Sequence, residues 1–257
     1  MKKQLPNIIT LMNFSCGVMS IIALLLWNNS LLASMFIVFG AIFDFFDGMT
    51  ARLLKVSSNI GKELDSLADI VTFGVAPSMI ATNLLLIQSP NYPFLQIFHR
   101  IVCYIPLVMA VMSCYRLAKF NIDTRQTSSF IGLPTPANAL VWISIPVISY
   151  CAFNDTYLWG VYSPKIYNCF AIFLNNPFFV IVSSIIFAIL LICELPLFAL
   201  KFKNLKWQDN KIKFIFLSVS IVMIFLFSCY AIPLIIIIYI VISIINNIIK
   251  HNKTDEI

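Results

Sequence analysis

With 257 residues, 60% of them hydrophobic and 11% charged, the chain lies far from the roughly 25% charged residues of a soluble domain. That composition, with a mean hydropathy of +0.93, excludes a water-soluble globular enzyme and places the protein in a bilayer. The net charge of +6 is dispersed through loops, so it indicates no nucleic-acid-binding surface and cuts no separate domain out of residues 1–257. A helix that crosses the hydrocarbon core needs about 20 predominantly apolar residues. In chain order, such runs lie near Ile8 to Trp27, Leu31 to Leu54, Leu64 to Ile87, Arg100 to Leu117, Pro136 to Phe153, Pro177 to Phe198, Phe214 to Cys229 and Ala231 to Ile249. The first follows Met1-Lys2-Lys3 but has no small-residue cleavage site before Asn28, so it is expected to remain as a span rather than serve as a secretion signal. The expected fold is all-α: a polytopic membrane bundle of about eight helices in one domain.

Charge favours the even count. With eight spans and the N-terminus inside, all but Arg100 and Lys165 of the 17 Lys and Arg residues fall in cytoplasmic segments, as the bias of short inner loops towards basic residues requires. Both termini are then expected in the cytoplasm. The seven cysteines, Cys16, Cys103, Cys114, Cys151, Cys169, Cys193 and Cys229, are scattered through apolar sequence without a Cys-x-x-Cys pair and read as small buried hydrophobes. His99 and His251 have no partner at ligand spacing, and Glu194 is a lone acid in the sixth run.

Four aspartates break the apolar pattern: Asp44 and Asp47 in the second span, Asp65 and Asp69 at the start of the third. A single ionised Asp at a bilayer centre costs about 2.5 to 3.5 kcal/mol on insertion scales, so four together require cations or a wet cavity. Asp44, Asp47, Gly48, Ala51 and Arg52 fall on one stripe of a helix, and Gly61, Asp65 and Asp69 on one stripe of the next. The loop between these helices is short, so the two acidic faces can meet. From Leu31 to Phe46 a helix rises about 24 Å, which puts Asp47 close to the inner interface. Hard oxygen ligands select Mg²⁺, Mn²⁺ or Ca²⁺ over Zn²⁺, and pairs of divalent ions are suited to clamping a phosphoryl group. Gly48 and Gly61 leave room for a ligand to approach the backbone, and Arg52 offers a planar cation for phosphate oxygens. Internal Asp/Arg salt bridges leave most of the acids unmatched by the one nearby Arg. A cation or proton transporter is the alternative of a different class, but its sites favour the midplane between repeated halves, and no repeat is visible here.

The string Asp44-x-x-Asp47-Gly48-x-x-Ala51-Arg52, eight residues, Gly61-x-x-x-Asp65-x-x-x-Asp69 resembles the signature of the CDP-alcohol phosphotransferases at every fixed position. Leu5-Pro6-Asn7 to Asn13, Asp65-Ser66-Leu67-Ala68-Asp69 running into Phe73 to Pro77, and Arg116-Leu117-Ala118-Lys119-Phe120-Asn121 followed by Gly132 to Pro136 resemble the serine-using branch. The resemblance extends to about Ala137; the C-terminal half matches only in being hydrophobic. It implies CDP-diacylglycerol and L-serine as substrates, release of CMP, and two divalent ions, Mg²⁺ or Mn²⁺. Asp44, Asp47, Asp65 and Asp69 would be metal ligands, with Asp69 also the candidate general base. Gly48, Ala51, Arg52 and Gly61 would line the CDP site, while Asn13, Ser66, Arg116 and Lys119 are candidates for holding the acceptor. Glycerol 3-phosphate or an inositol phosphate is the alternative acceptor. The resemblance also allows a homodimer and implies a protein of the cytoplasmic membrane with its site facing the cytoplasm.

Overall fold

The computed structural model describes residues 4–56, 58–96, 98–122, 129–154, 164–198 and 207–255. Helix α1 (Leu5–Leu25) runs into α2 (Ser30–Leu53) through a tight turn. There Asn28 takes a left-handed backbone (φ 46°), and Asn29 caps α2 by accepting the Leu32 N–H at 2.9 Å, the usual role of Asn at a helix start. Ser58 caps α3 (Asn59–Asp69) in the same way, accepting the Gly61 N–H at 3.0 Å. α3 does not stop at Asp69: it continues through a π-helical segment, Ile70–Val75, into α4 (Ala76–Gln88), making one long apolar unit, Asn59–Asn91. Two single-turn helices, α5 (Pro93–Gln96) and α6 (His99–Val102), lead to α7 (Leu107–Ile122). Then come α8 (Thr135–Phe153), α9 (Pro164–Leu174), α10 (Pro177–Ile192), α11 (Trp207–Phe227) and α12 (Ala231–Asp255).

Five helices are long and apolar enough to cross a membrane, or six if α9 and α10, bent by 64° where they meet, make one span. This is fewer than the expected eight, for three local reasons. The fourth expected span is broken, with Arg100 in α6 and only 16 residues in α7. The sixth ends at Ile192 rather than Phe198, because Leu195 precedes Pro196 and the residue before a proline is disfavoured in α geometry. The last two runs are joined through a 3-10 turn, Ser228–Tyr230, in one stretch, Asn210–Ile248. That stretch doubles back: the rings of Phe216 and Tyr239 lie 5.6 Å apart, whereas a straight helix would separate them by about 34 Å. Ser228, with φ 52°, is the residue that turns it.

The architecture is all-helical, as expected, with one local addition. β1 (Ser129–Ile131) and β2 (Pro196–Phe198) form a short antiparallel ladder, Ser129 opposite Phe198 and Ile131 opposite Pro196. Gly132 follows with φ +73°, and a Cβ there would meet the Leu191 carbonyl oxygen at 2.6 Å, so the chain turns past α10 only at a glycine.

Two apolar cores share α8. One gathers Trp142, Ile145, Val180 and Leu191; the other gathers Leu24, Ile37, Phe73, Ile80 and Ile143. The outer faces are apolar as well, with Phe39, Phe45, Phe46 and Val182 exposed, as expected where lipid takes the place of water.

α1 buries Pro6, Thr10, Asn13, Gly17, Ser20 and Leu24, a stripe at helical spacing and mostly of small or polar residues. Gly17 of α1 and Gly40 of α2 both face Thr72 of the π segment: a Cβ would fall 2.6 Å from Thr72 Oγ1 at Gly17 and 2.5 Å from Thr72 Cγ2 at Gly40. The Thr72 hydroxyl donates to the Asn13 carbonyl at 3.0 Å. These contacts bind α1, α2 and the end of α3 into one tightly packed block, the small-residue packing that membrane helices use.

Candidate active site

The block carries the acids. Asp44 and Asp47 stand one turn apart on α2, and Asp65 and Asp69 one turn apart on α3. Between Asp44 and Asp47, Phe45 and Phe46 are exposed on the outer face. One carboxylate oxygen from each of Asp44, Asp47 and Asp65 lies within 4.8 Å of the others. Oxygens ligating one ion at 2.0 to 2.6 Å can be no more than about 4 to 5 Å apart, so the set fits a hard divalent cation. Asp69 lies outside this trio but beside it, within hydrogen-bonding reach of Asp44 and accepting from Asn13 Nδ2 at 3.4 Å. Carboxylates this close repel one another unless a proton or a cation lies between them.

Sequence reasoning missed Thr10. Its hydroxyl is buried and 2.6 Å from Asp47 Oδ2, with the Pro6 carbonyl, at 3.0 Å, as the competing acceptor. The signal was available: Asn7, Thr10 and Asn13 recur every third residue on an otherwise apolar helix, a polar stripe at helical spacing. A cleft of about 280 Å³ opens beside the acids, lined by Asn7, Thr10, Asp47, Gly48, Ala51 and Gly61 among others, including Lys62 and Asp65. Its size is near the lower end of the roughly 300 to 1,000 Å³ of small-molecule sites.

The expected CDP-site residues divide in two. Gly48, Ala51 and Gly61 line the cleft. A Cβ on Gly48 would meet nothing nearer than Arg52 Nη2 at 3.6 Å, whereas one on Gly61 would press on Ser58 Oγ and Asn7 Oδ1 at 2.9 and 3.0 Å. Arg52 is not among the lining residues; it is exposed and folds back on its own helix, Nε donating to the Gly48 carbonyl at 2.9 Å.

The acceptor candidates scatter. Asn13 joins the acids through Asp69. Ser66 accepts from Asn121 Nδ2 at 2.9 Å, and Lys62 Nζ donates to the Asn121 carbonyl at 3.0 Å, which ties α3 to the end of α7. Lys119 is ion-paired with Glu194 at 2.8 Å, so Glu194 is no lone membrane acid; it stands just past α10, largely exposed. Arg116 is buried on the face of α7 turned to the π segment, where Gly74 packs against Ser113. It lies within electrostatic reach of Asp69, and its Nε has no partner.

The model of the CDP-alcohol phosphatidyltransferase family matches residues 3–167, from the start of α1 into α9. Curated relatives named CDP-diacylglycerol--serine O-phosphatidyltransferase are similar to the same part. The protein of Bacillus subtilis (strain 168) is 45% identical over 132 residues, 51% of this chain and 69% of its own length. That of Helicobacter pylori (strain ATCC 700392 / 26695) is 37% identical over 138 residues, 53% of this chain and 54% of its own. That of Methanocaldococcus jannaschii is 32% identical over 158 residues, 60% of this chain and 63% of its own. The chain thus spans between about half and two thirds of the relatives it matches. Since the family's match takes in well over half of the sequence and every helix that carries an acid of the cluster, the chain belongs to the CDP-alcohol phosphatidyltransferase family.

Proposed function

We propose that the protein transfers the phosphatidyl group of CDP-diacylglycerol to L-serine, giving phosphatidylserine and CMP. The observation that carries the reaction class is the convergence of Asp44, Asp47 and Asp65, two of which, Asp47 and Asp65, line a cleft together with Gly48 and Gly61. Serine as the acceptor is supported by the shared name of the relatives.

Asp44, Asp47 and Asp65 would hold divalent metal, with Asp69 completing a site for two ions, Mg²⁺ or Mn²⁺. Bound there, the ions would neutralise the pyrophosphate and polarise the phosphorus under attack. Asp69, on the α7 side of the trio, takes the proton of the acceptor hydroxyl. The freed oxygen attacks the phosphorus of the phosphatidyl group, the bond to the CMP oxygen breaks, and CMP leaves with the electron pair. Gly48, Ala51 and Gly61 shape the nucleotide cleft, and Arg52, at its rim, can swing to the phosphates. Asn13 orients Asp69. The excess of Lys and Arg in one set of loops supports both termini, and with them the site, lying on the cytoplasmic side of the membrane.

The test is product identity. Purified protein supplied with CDP-diacylglycerol, Mn²⁺ and labelled serine should yield a labelled lipid and CMP in equal amounts, and exhaustive chelation should abolish both. Consumption of glycerol 3-phosphate with serine ignored would leave the reaction class standing and remove the assignment of the acceptor.

A further inference from the structure

The cleft beside the acids has to accept more negative charge than its metals cancel. Two divalent ions only balance four carboxylates, so the pyrophosphate of a CDP-lipid brings charge that a further cation must meet. Among the described residues lining the cleft, Lys62 alone has a basic side chain. Arg52 is turned back onto its own helix, held by the Gly48 carbonyl.

Lys62 stands one turn before Asp65 on α3, a spacing at which lysine and aspartate pair on a helix surface. They do not pair: among the described residues the ion pair is Lys119–Glu194. Lys62 Nζ instead donates to the Asn121 carbonyl at 3.0 Å, in the last turn of α7, where helix carbonyls lack partners and attract cations. Asn121 is fixed in turn by its side chain, Nδ2 donating to Ser66 Oγ at 2.9 Å, and the Ser66 hydroxyl donates to the Lys62 carbonyl at 3.2 Å. These bonds close a ring between α3 and α7. The ring keeps the ammonium at the cleft and off the neighbouring carboxylates, which it would otherwise neutralise in place of a metal. A neutral carbonyl is also a weaker partner for an ammonium than a phosphate oxygen, so Lys62 can pass to a phosphate without leaving an unpaired charge behind.

We propose that Lys62 binds the pyrophosphate of the CDP-activated lipid and that Asn121 is the residue that positions it, so that the end of α7 takes part in holding the donor substrate. The proposal rests on the reading of the cleft as a CDP site made above. The compact charge of a lysine on its flexible stem suits a partner that arrives and leaves with every turnover.

The experiment titrates the full-length protein in detergent with CDP at saturating Mn²⁺, by calorimetry. Lys62→Gln keeps an N–H for the Asn121 carbonyl and loses the charge. Its affinity for CDP should fall about tenfold or more, the loss typical of a hydrogen bond at a charged group, and the rise in thermal midpoint that CDP produces should shrink with it. Lys62→Arg, which restores the charge, should recover most of the affinity. Asn121→Ala should cause a smaller loss, and no further loss when combined with Lys62→Gln, because it acts through the lysine. An equal loss in Lys62→Arg and Lys62→Gln overturns the proposal, and additive losses in the double variant overturn the positioning role of Asn121. If wild type and Lys62→Gln bind CDP equally well, the proposal fails while the reading of the cleft stands; if the wild-type protein binds no CDP with Mn²⁺ present, both fail together.

Discussion

Thr10 and Asp69 hold different parts of the chemistry, and their variants should fail differently. Thr10 has one proton and two acceptors, and the nearer is a carboxylate oxygen of Asp47, the stronger acceptor of the two. By tying down Oδ2 it leaves the other oxygen of Asp47 oriented for a ligand. Thr10→Val keeps the shape and removes the hydroxyl, so Mn²⁺ affinity measured by calorimetry should weaken about 10- to 100-fold, as when outer-shell partners of metal ligands are lost. Thr10→Ser should restore most of it. Asp69→Asn, by contrast, keeps a similar volume beside Asp44 but can no longer accept a proton. CDP-lipid binding in the presence of Mn²⁺ should stay measurable while turnover drops about 10² to 10⁴-fold, the range for a positioned acid or base. Loss of nucleotide binding along with turnover would make Asp69 chiefly a metal ligand. The four acids were legible in the sequence because a charge in apolar surroundings is costly enough to stand out. Thr10 stood out less, because a hydroxyl in a membrane helix can satisfy itself on its own backbone, and only the polar stripe it shares with Asn7 and Asn13 pointed to it.

At the level of elements, glycines that look alike in the sequence differ in what surrounds them. Gly40 meets Thr72 at a distance no Cβ can accept, and Thr72 is buried between two helices; Gly48 opens onto the cleft. Gly40→Ala should cost about 1 to 3 kcal/mol by overpacking, read as a lower thermal midpoint in detergent. Gly48→Ala should leave the midpoint in place and weaken CDP-lipid binding instead. The helices of the first half were legible to within about five residues because their apolar runs are long; α2 and α3 also have capping residues, Asn29 and Ser58, at their starts. The π-helical segment was not: Ile70 to Val75 has ordinary helical composition, and its wider turn follows the Thr72 wedge, a tertiary contact. π-turns of this kind recur at functional sites; here it begins immediately after Asp69. The end of the sixth span at Ile192 was encoded in Leu195-Pro196, but the apolar run through it masked the break.

Over the whole molecule, the division of labour follows the chain: α2 and α3 hold the acids with α1 packed against them, and α10 packs on α7, which carries Arg116. The C-terminal half resisted interpretation because its polar groups, Glu194, Tyr239 and Asn247, find their partners only across long sequence separations. The turn Asp44-Phe45-Phe46-Asp47 sets the relation of this assembly to its surroundings. Its acids point into the site and its two phenylalanines point out, so the reaction centre lies about one helix diameter, 10 to 12 Å, from lipid. A two-tailed substrate can then be delivered sideways, with its acyl chains never leaving the hydrocarbon. Encounter becomes a search in two dimensions, governed by how crowded the leaflet is with CDP-lipid and not by how much of it the vessel contains. In mixed micelles, adding inert detergent at constant total CDP-diacylglycerol should lower the rate in proportion to the mole fraction. Diluting micelles and protein together with buffer should leave the turnover per enzyme unchanged at saturating serine. The organism's means of regulating such a catalyst would be the local composition of its membrane.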